Sequence, residues 1–388
     1  LNATVPTSQS GRTIKVAIVI TGLEVGGAET FLAELLKHRP ADIEMRVFSL
    51  IDGGPIAERI EAMGISVTGM HMLIGRPSIY ALFSLVSQLR AYAPDIVHTW
   101  LYHADLMGGV AARMAGVRRV IWHLHNSDLS PQRVRLQTRV VVRVCAWLSY
   151  FVPTTIVSCS ESGARTHMDR GYDARKLQVI PNGVDTNRFT PSAQSRASVR
   201  EEFGLVRERL LIGLIARVDS QKNHPGFFEA ARLFCQRGGD ADFLLVGRDV
   251  TPDHWLLSGL REATGCSERV VLAGPRDDVP RIMAALDVAT SSSLGEAFPL
   301  VLIEAMSCGV PCAATDVGDS ALIVADTGTV VPPDDADALA AAWERLGAIP
   351  ADERRRLGQR ARERVLAKYA IEQVADRIWG LYRAVVSE

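Results

Sequence analysis

The sequence predicts an α/β protein of two doubly wound domains that face each other across a cleft. Three observations carry this. Short runs rich in β-branched residues alternate with stretches of helical period from Ile14 to Val331, the pattern of βαβ units on a parallel sheet. The alternation pauses once, at the turn-forming Pro181-Asn182-Gly183-Val184-Asp185 and a polar segment running to Ala197, and then restarts. The length of 388 residues exceeds what one ordinary core fills and suits two domains.

Strands in the first half are expected at Ile14–Ile20, Met45–Leu50, Ile65–Met70, Asp95–Leu101, Arg119–His125, Thr154–Ser160 and Leu177–Ile180. Those of the second half are expected at Leu210–Ala216, Asp242–Val246, Arg269–Ala273, Val288–Ser292, Pro311–Thr315 and Gly328–Val331. A first helix is expected from Ala28 to His38, and the chain ends in two more. Asp352–Lys368 is dense in Arg and Glu and reads as a solvated face, while Ile371–Val386 carries an apolar stripe. The expected division is a disordered segment at 1–12, a first domain at 13–187 and a second at 188–370.

Composition narrows the function. Hydrophobic residues at 47% and charged residues at 22% are ordinary for a globular protein. A net charge of -1 gives no electrostatic case for nucleic acid as a partner. Six cysteines, at 145, 159, 235, 266, 308 and 312, lack metal-ligand spacing. They are expected to be buried thiols in a reducing compartment, with no disulfide framework. The most membrane-like stretch, Val140–Val157, is broken by Arg143 and Pro153 and falls short of the roughly 20 apolar residues a spanning helix needs.

Chemistry concentrates in loops at the carboxyl ends of expected strands, the edge where open α/β sheets bind ligands. After the first strand, Gly22-Leu23-Glu24-Val25-Gly26-Gly27-Ala28-Glu29 lets backbone approach a ligand at a helix N-terminus. It is neither a dinucleotide fingerprint nor a phosphate-binding Gly-Lys-Ser/Thr loop, which argues against an NAD-dependent oxidoreductase. The alternative is that its glycines serve only the tight turn. At the first strand of the second half, Arg217 and Lys222 stand five positions apart. They offer a fork and a point charge for phosphate oxygens, the alternative being solvated loop cations. A third segment, Ser291 to Met306, places Glu296 in a loop at a helix mouth and Glu304 inside the helix. Pro299 suits the first helical position and Gly309 the C-terminal cap. First-turn N–H groups near Leu300 and Val301 can receive a diphosphate. A glutamate among Leu, Ile, Ala and Met is costly unless paired or liganded, so Glu304 has either a salt bridge or a ribose diol.

These residues resemble glycosyltransferase family 4, a retaining group of GT-B fold with two Rossmann-like domains, and the likeness covers nearly the whole chain. Glu296 and Glu304 match the family's Glu-x7-Glu signature, and Arg217 with Lys222 its Arg-x4-Lys pair. Gly26-Gly27-Ala28-Glu29 is similar to the glycine-rich first loop, Pro181–Asp185 to the segment before the hinge, and Gly274–Val279 to the loop beside the base. The resemblance implies that Arg217 and Lys222 hold the donor diphosphate, that Glu304 holds the ribose and that Glu296 faces the donor-sugar hydroxyls. Gly26, Gly27, Arg276, Phe298, Leu300 and Val301 would complete the donor site. It also implies that the last helix, 371–388, crosses back onto the first domain. No metal and no other cofactor is expected, the cations replacing Mg²⁺. Two departures stand out: Ala297 and Asn223 occupy positions where many relatives have glycine, so the local bend is expected to differ.

Ile121 to Asp128 ends another strand, with His123 and His125 on one face. Pattern alone leaves both open, and resemblance favours His125 as the contact to the donor sugar and so as a catalytic residue beside Glu296, Arg217 and Lys222. His98 and His103 either line the acceptor side or simply pack.

The function expected is transfer of a sugar from a nucleotide-diphosphate sugar, UDP before GDP, to a glycan, a lipid-linked glycan or a small molecule. Retention of configuration comes from the resemblance. No side chain is assigned as general base, because in a same-face mechanism the departing phosphate takes the acceptor proton. A related nucleotide-sugar 2-epimerase is the alternative enzyme, and a lectin-like module the non-enzymatic one. The location expected is cytoplasmic. Arg135, Arg139 and Arg143 form an i, i+4, i+8 row before Trp147, Tyr150 and Phe151. The row suits either an anionic membrane face or a helix packed on its sheet, with arginines solvated and aromatics in the core.

Overall fold

The computed structural model describes residues 12–73, 78–130 and 134–387; of the expected disordered segment, residues 1–11 lie outside it. The chain opens with β1 (Ile14–Ile20), α1 (Gly27–Lys37), β2 (Ile43–Ser49), α2 (Pro55–Glu61), β3 (Val67–Gly69), α3 (Ile79–Tyr92) and β4 (Ile96–Trp100). It continues with α4 (Tyr102–Met114), β5 (Val120–Leu124), α5 (Leu136–Leu148), β6 (Thr155–Ser158), α6 (Glu161–Asp169) and β7 (Leu177–Val179). The second half holds α7 (Ala193–Glu202), β8 (Leu210–Ile215), α8 (His224–Gln236), β9 (Ala241–Val246), α9 (Trp255–Ala263), β10 (Val270–Leu272) and α10 (Val279–Met283). Then come β11 (Val288–Ser291), α11 (Leu300–Ser307), β12 (Cys312–Thr315), α12 (Ser320–Val324) and β13 (Thr329–Val331). Three helices finish the chain: α13 (Ala336–Ala348), α14 (Ala351–Lys368) and α15 (Ile371–Ser387).

Two parallel sheets result, ordered β3-β2-β1-β4-β5-β6-β7 and β10-β9-β8-β11-β12-β13. Their central strands are buried on both faces, as the runs Val16–Ile20 and Phe243–Val246 show, because helices cover both sides. In each sheet the strand order reverses beside its first strand, between β1 and β4 and between β8 and β11. At such a switch point the connections diverge and leave a crevice at the carboxyl edge. The loops after β1, β4, β5, β8, β9 and β11 all open there, and they carry the residues singled out above.

The two halves are joined twice at one place. The Val184 N–H donates to the Tyr369 carbonyl at 2.9 Å, and the Ile371 N–H donates to the Val184 carbonyl at 3.0 Å. A Cβ on Gly183 would lie 2.9 Å from the Ile371 Cα, so only glycine permits this approach. Past the crossing, α15 packs on the first sheet. Ile371, Val374, Ile378, Trp379 and Tyr382 share one core with Ile18, Phe31 and Trp100. The Trp379 indole donates to the His38 carbonyl at 3.0 Å, and Arg383 pairs with Asp42 at 3.0 Å.

Several expectations need correction. The polar segment before Ala197 is in part α7, started by Ser192, whose hydroxyl accepts from the Ser195 N–H at 3.0 Å. Its signal is a serine cap rather than an apolar stripe, because few of its residues are buried. Pro299 sits at the cap of α11, one position before the helix, while Gly309 takes the left-handed conformation after it (φ 72°). Cys235 and Cys266 are bonded to each other, leaving Cys145, Cys159, Cys308 and Cys312 as buried thiols. A spacing of 31 residues carries no sequence signature; the pair meets because the end of α8 lies beside the turn after α9. Arg135 is the cap before α5 rather than part of an arginine row within the helix. Trp147, Tyr150 and Phe151 are exposed, not in the core. Among the described residues no helix is long and apolar enough to cross a membrane.

Gly183→Val tests the crossing. The added side chain must push the α15 backbone away, which should lower unfolding free energy by about 2 kcal/mol. Denaturant titration reads this directly, and an unchanged midpoint would mean the two segments separate freely.

Candidate active site

One cavity of about 820 Å³ lies between the two carboxyl edges. The first domain contributes Gly26 and Gly27 at the start of α1, Leu101 after β4, and His125, Asn126 and Ser127 after β5. The second contributes Arg217 and Lys222 after β8, Arg248 after β9, and Glu296, Phe298, Leu300 and Val301 around the mouth of α11. A Cβ on Gly27 would come 3.8 Å from the Leu300 side chain across the cleft.

Each group is held by its own local chemistry. Lys222 precedes Asn223, which adopts the left-handed conformation (φ 49°, ψ 52°). The Asn223 carboxamide also accepts from the Gly226 N–H at 3.1 Å, capping α8. Asparagine tolerates this conformation and supplies its own cap, so the chain makes a positive-φ bend here without glycine, contrary to expectation. Lys222 Nζ is paired with Glu296 Oε1, and the same oxygen accepts from the Ser293 hydroxyl at 2.8 Å. Arg217 rests on Asp219 at 3.0 Å. The first turn of α11 adds main-chain N–H groups that have no partner within a helix. Three cations and a helix N-terminus thus converge on one space, the arrangement that binds a diphosphate.

Across the cleft, His125 caps a column of rings. Its imidazole lies 4.3 Å from that of His123 and 4.8 Å from Trp100, and His123 lies 5.3 Å from His98. At the base, His98 Nδ1 is 2.6 Å from the Tyr382 hydroxyl of α15. Burial lowers all three histidines, His98 and His125 to about 3. The column is therefore neutral at physiological pH, and His125 meets a ligand as a hydrogen-bonding imidazole rather than a cation. Pattern left His123 and His125 open; His125 lines the cavity, while His123 is fully buried beneath it. His98 packs, and His103 is half-buried and does not line the cavity.

Two expected donor residues stand apart. Arg276 is committed to Asp278 at 2.8 Å and Glu202 at 3.0 Å. Glu304 lies one turn into α11 and is not among the cavity residues. Burial raises its carboxyl to about 7, and Arg188 opposes the rise. Several cavity residues were given no site role by the sequence, Arg248, Glu29, Ser127 and Arg135 among them. Arg248 follows Gly247 at the end of β9, and a Gly-Arg step after a strand was the available signal. Glu29 folds its carboxylate over Gly26, where a Cβ would meet it at 2.3 Å. Ser127 donates from its hydroxyl to the Glu296 carbonyl across the cleft. Arg135 lines the cavity, which removes it from any outward-facing basic surface. Among the described residues no three His, Cys, Asp or Glu gather as a metal site.

Comparison with known proteins agrees with this geometry. The structure of Anabaena HepE in complex with UDP superposes with a TM-score of 0.83 over 96% of this chain and 100% of that one, at 21% identity. The architecture is thus GT-B. Family models described as Glycosyltransferase Family 4 and Glycosyl transferases group 1 match residues 25–188 and 209–348. An α-D-kanosaminyltransferase of Streptomyces kanamyceticus is 30% identical over 305 residues, 73% of this chain and 76% of that protein. The Escherichia coli UDP-Gal:α-D-GlcNAc-diphosphoundecaprenol α-1,3-galactosyltransferase is 28% identical over 316 residues, 78% of each chain. The chain belongs to glycosyltransferase family 4 and is a glycosyltransferase.

Glu304 yields a test by titration. Its folded pKa of about 7 lies above the ordinary 4.5, so between those values the folded state holds a proton that the unfolded state has lost. Its contribution to stability therefore falls as pH rises through that window. Wild type and Glu304→Gln should melt alike near about pH 4, and the variant should melt higher at about pH 8. A constant difference across pH would show that Glu304 is not strained by burial.

Proposed function

We propose that this glycosyltransferase is a retaining hexosyltransferase that uses a UDP-sugar and acts on a lipid-linked glycan at the cytoplasmic face of a membrane. The observation that carries the donor half is the convergence of Arg217, Lys222, Arg248 and the α11 mouth opposite His125 in one cavity. UDP in the HepE complex and UDP-Gal in the name of the E. coli relative favour that nucleotide. In transfer, the bond from the anomeric carbon to the diphosphate oxygen breaks and a bond to the acceptor oxygen forms on the same face. The acceptor proton goes to the departing phosphate, and UDP leaves. Negative charge grows on the diphosphate as the sugar becomes oxocarbenium-like. Arg217, Lys222 and the α11 N–H groups meet that charge without reorganising. Glu296, held by Lys222 and Ser293, and neutral His125 orient the sugar hydroxyls, while Glu304 holds the ribose once α11 is engaged. Metal is not required, because these cations supply the charge a divalent ion would.

The acceptor half rests on α5. Leu136, Val140, Val144, Trp147 and Phe151 form an exposed stripe at helical spacing, with Trp147 65% and Phe151 63% exposed. Arg139 and Arg143 border it. An apolar stripe with aromatics at headgroup depth and flanking arginines suits an anionic leaflet. The lipid-linked substrate in the name of the E. coli relative points the same way.

Arg217→Ala and Lys222→Ala should each cut turnover at least about tenfold, and weaken UDP far more than uridine. Hydrolysis of UDP-, GDP- and ADP-sugars without acceptor would rank the donors, and EDTA should leave the rate unchanged. Loss of all turnover in EDTA, restored by Mn²⁺, would reject metal independence; equal losses for UDP and uridine would reject the diphosphate assignment.

Co-sedimentation with anionic vesicles tests the membrane face. Arg139→Gln with Arg143→Gln removes two charges worth about 1 kcal/mol each, or roughly thirtyfold in partition at low salt. Trp147→Ser with Phe151→Ser should reduce pelleting at any salt. Equal pelleting of wild type and both variants would leave α5 a structural helix.

A further inference from the structure

We infer that Asp319 is a positioning residue that fastens the donor loop of the second domain to the first domain when the cleft is closed. Asp319 lies in the short loop between β12 and α12, and it does not cap the helix it precedes. Its carboxylate reaches across the domain boundary instead. Oδ2 accepts from the Glu161 N–H at 2.7 Å and Oδ1 from the Ser162 N–H at 2.9 Å. These are the first two N–H groups of α6, and the third, of Gly163, is taken by the Ser160 hydroxyl at 3.0 Å. The first domain therefore caps one of its own orphan donors and leaves two for the other domain. A helix N-terminus favours a carboxylate there on dipole grounds as well.

The same loop grips the donor site. The Asp319 N–H donates to the Ala297 carbonyl at 3.1 Å. Gly318 is left-handed (φ 59°), and a Cβ there would lie 2.3 Å from the Glu296 carbonyl oxygen. From the first domain, Ser127 donates to the Glu296 carbonyl and Ser162 to that of Ala297 at 3.5 Å. Glu296 and Ala297 are thus clamped between the Asp319 loop and the first domain. Parting the domains would strip Asp319, only 5% exposed, of both partners and orphan two N–H groups. Such a contact is made or broken as a unit, since half of it leaves a buried charge under-satisfied. Seating Glu296 and closing the cleft become one event.

Spin labels at Met114→Cys and Trp255→Cys, exposed positions in the two domains, would report domain separation without any ligand. Wild type should show a narrow, short distance. Asp319→Ala should add longer distances, weaken UDP about tenfold, and raise KM for the donor with little change in kcat. Glu161→Pro removes one donor from the other side. Proline suits the first helical position, and the extended Ser160 before it is compatible. It should shift distances in the same direction, and the double variant should go no further than Asp319→Ala alone. Distances in Glu161→Pro identical to wild type would overturn the inference even if Asp319→Ala failed to fold. A lowered melting temperature in Asp319→Ala with unchanged distances would overturn it too. The distance measurement does not depend on which nucleotide sugar is the donor.

Discussion

The double crossing at Val184 and Ala370 is the constraint on which the rest depends. Two chain segments, almost the whole sequence of the second domain apart, exchange main-chain hydrogen bonds at one point. The second domain is consequently tethered at a single place by paired backbone rather than by one loose linker. Relative motion is then a rotation about that place, with the two carboxyl edges as facing jaws. The cross-cleft bonds from Ser127 and Ser162 to the Glu296 and Ala297 carbonyls depend on this geometry, because they form only when both sheets are turned inward.

Charge balance in the cavity follows the same logic. The pair of Lys222 with Glu296 and the pair of Arg217 with Asp219 keep the cations oriented while offering them little net stabilisation in a partly wet cleft. An incoming diphosphate carries more negative charge than either carboxylate and can take both cations at once, aided by Arg248 and the α11 mouth. On the facing wall burial has the opposite effect, holding His125 neutral by desolvation. One wall of the cleft is therefore cationic, and the His125 imidazole on the other is uncharged.

How much of this was legible in the sequence depended on how local the cause was. Strands buried on both faces are written as unbroken apolar runs, and each expected strand overlaps an observed one. Arg217, Lys222 and Glu296 reach the cavity from loops at the carboxyl ends of parallel strands, a predictable place for a ligand, whereas only the family resemblance separated His125 from His123. The helix α7 was not, since its stabilisation comes from a serine cap and from Arg200 held by Asp287 at 2.8 Å, a partner 87 residues away. The bond between Cys235 and Cys266 and the grip of Asp319 on α6 are likewise products of assembly, with no periodicity to announce them. Asn223 shows a subtler limit: the missing glycine suggested a bend without positive φ, yet asparagine adopts a left-handed conformation and adds a cap. Arg276 stands outside the cavity because Asp278 and Glu202 hold its side chain, neighbours that motif spacing does not reveal, and Glu304 because it lies inside α11 behind the helix mouth.

The packing of α15 on the first sheet bears on how the molecule is made. The first domain is synthesised before the second, and domains usually fold as they emerge. Here the core around Phe31 and Trp100 remains open until residues 371–387 have been added. Through all the time needed to build the second domain, the first exposes the apolar trough that α15 will fill, with His98 still lacking Tyr382. The nascent first domain is thus open to chaperone capture or misassociation until α15 seats against it.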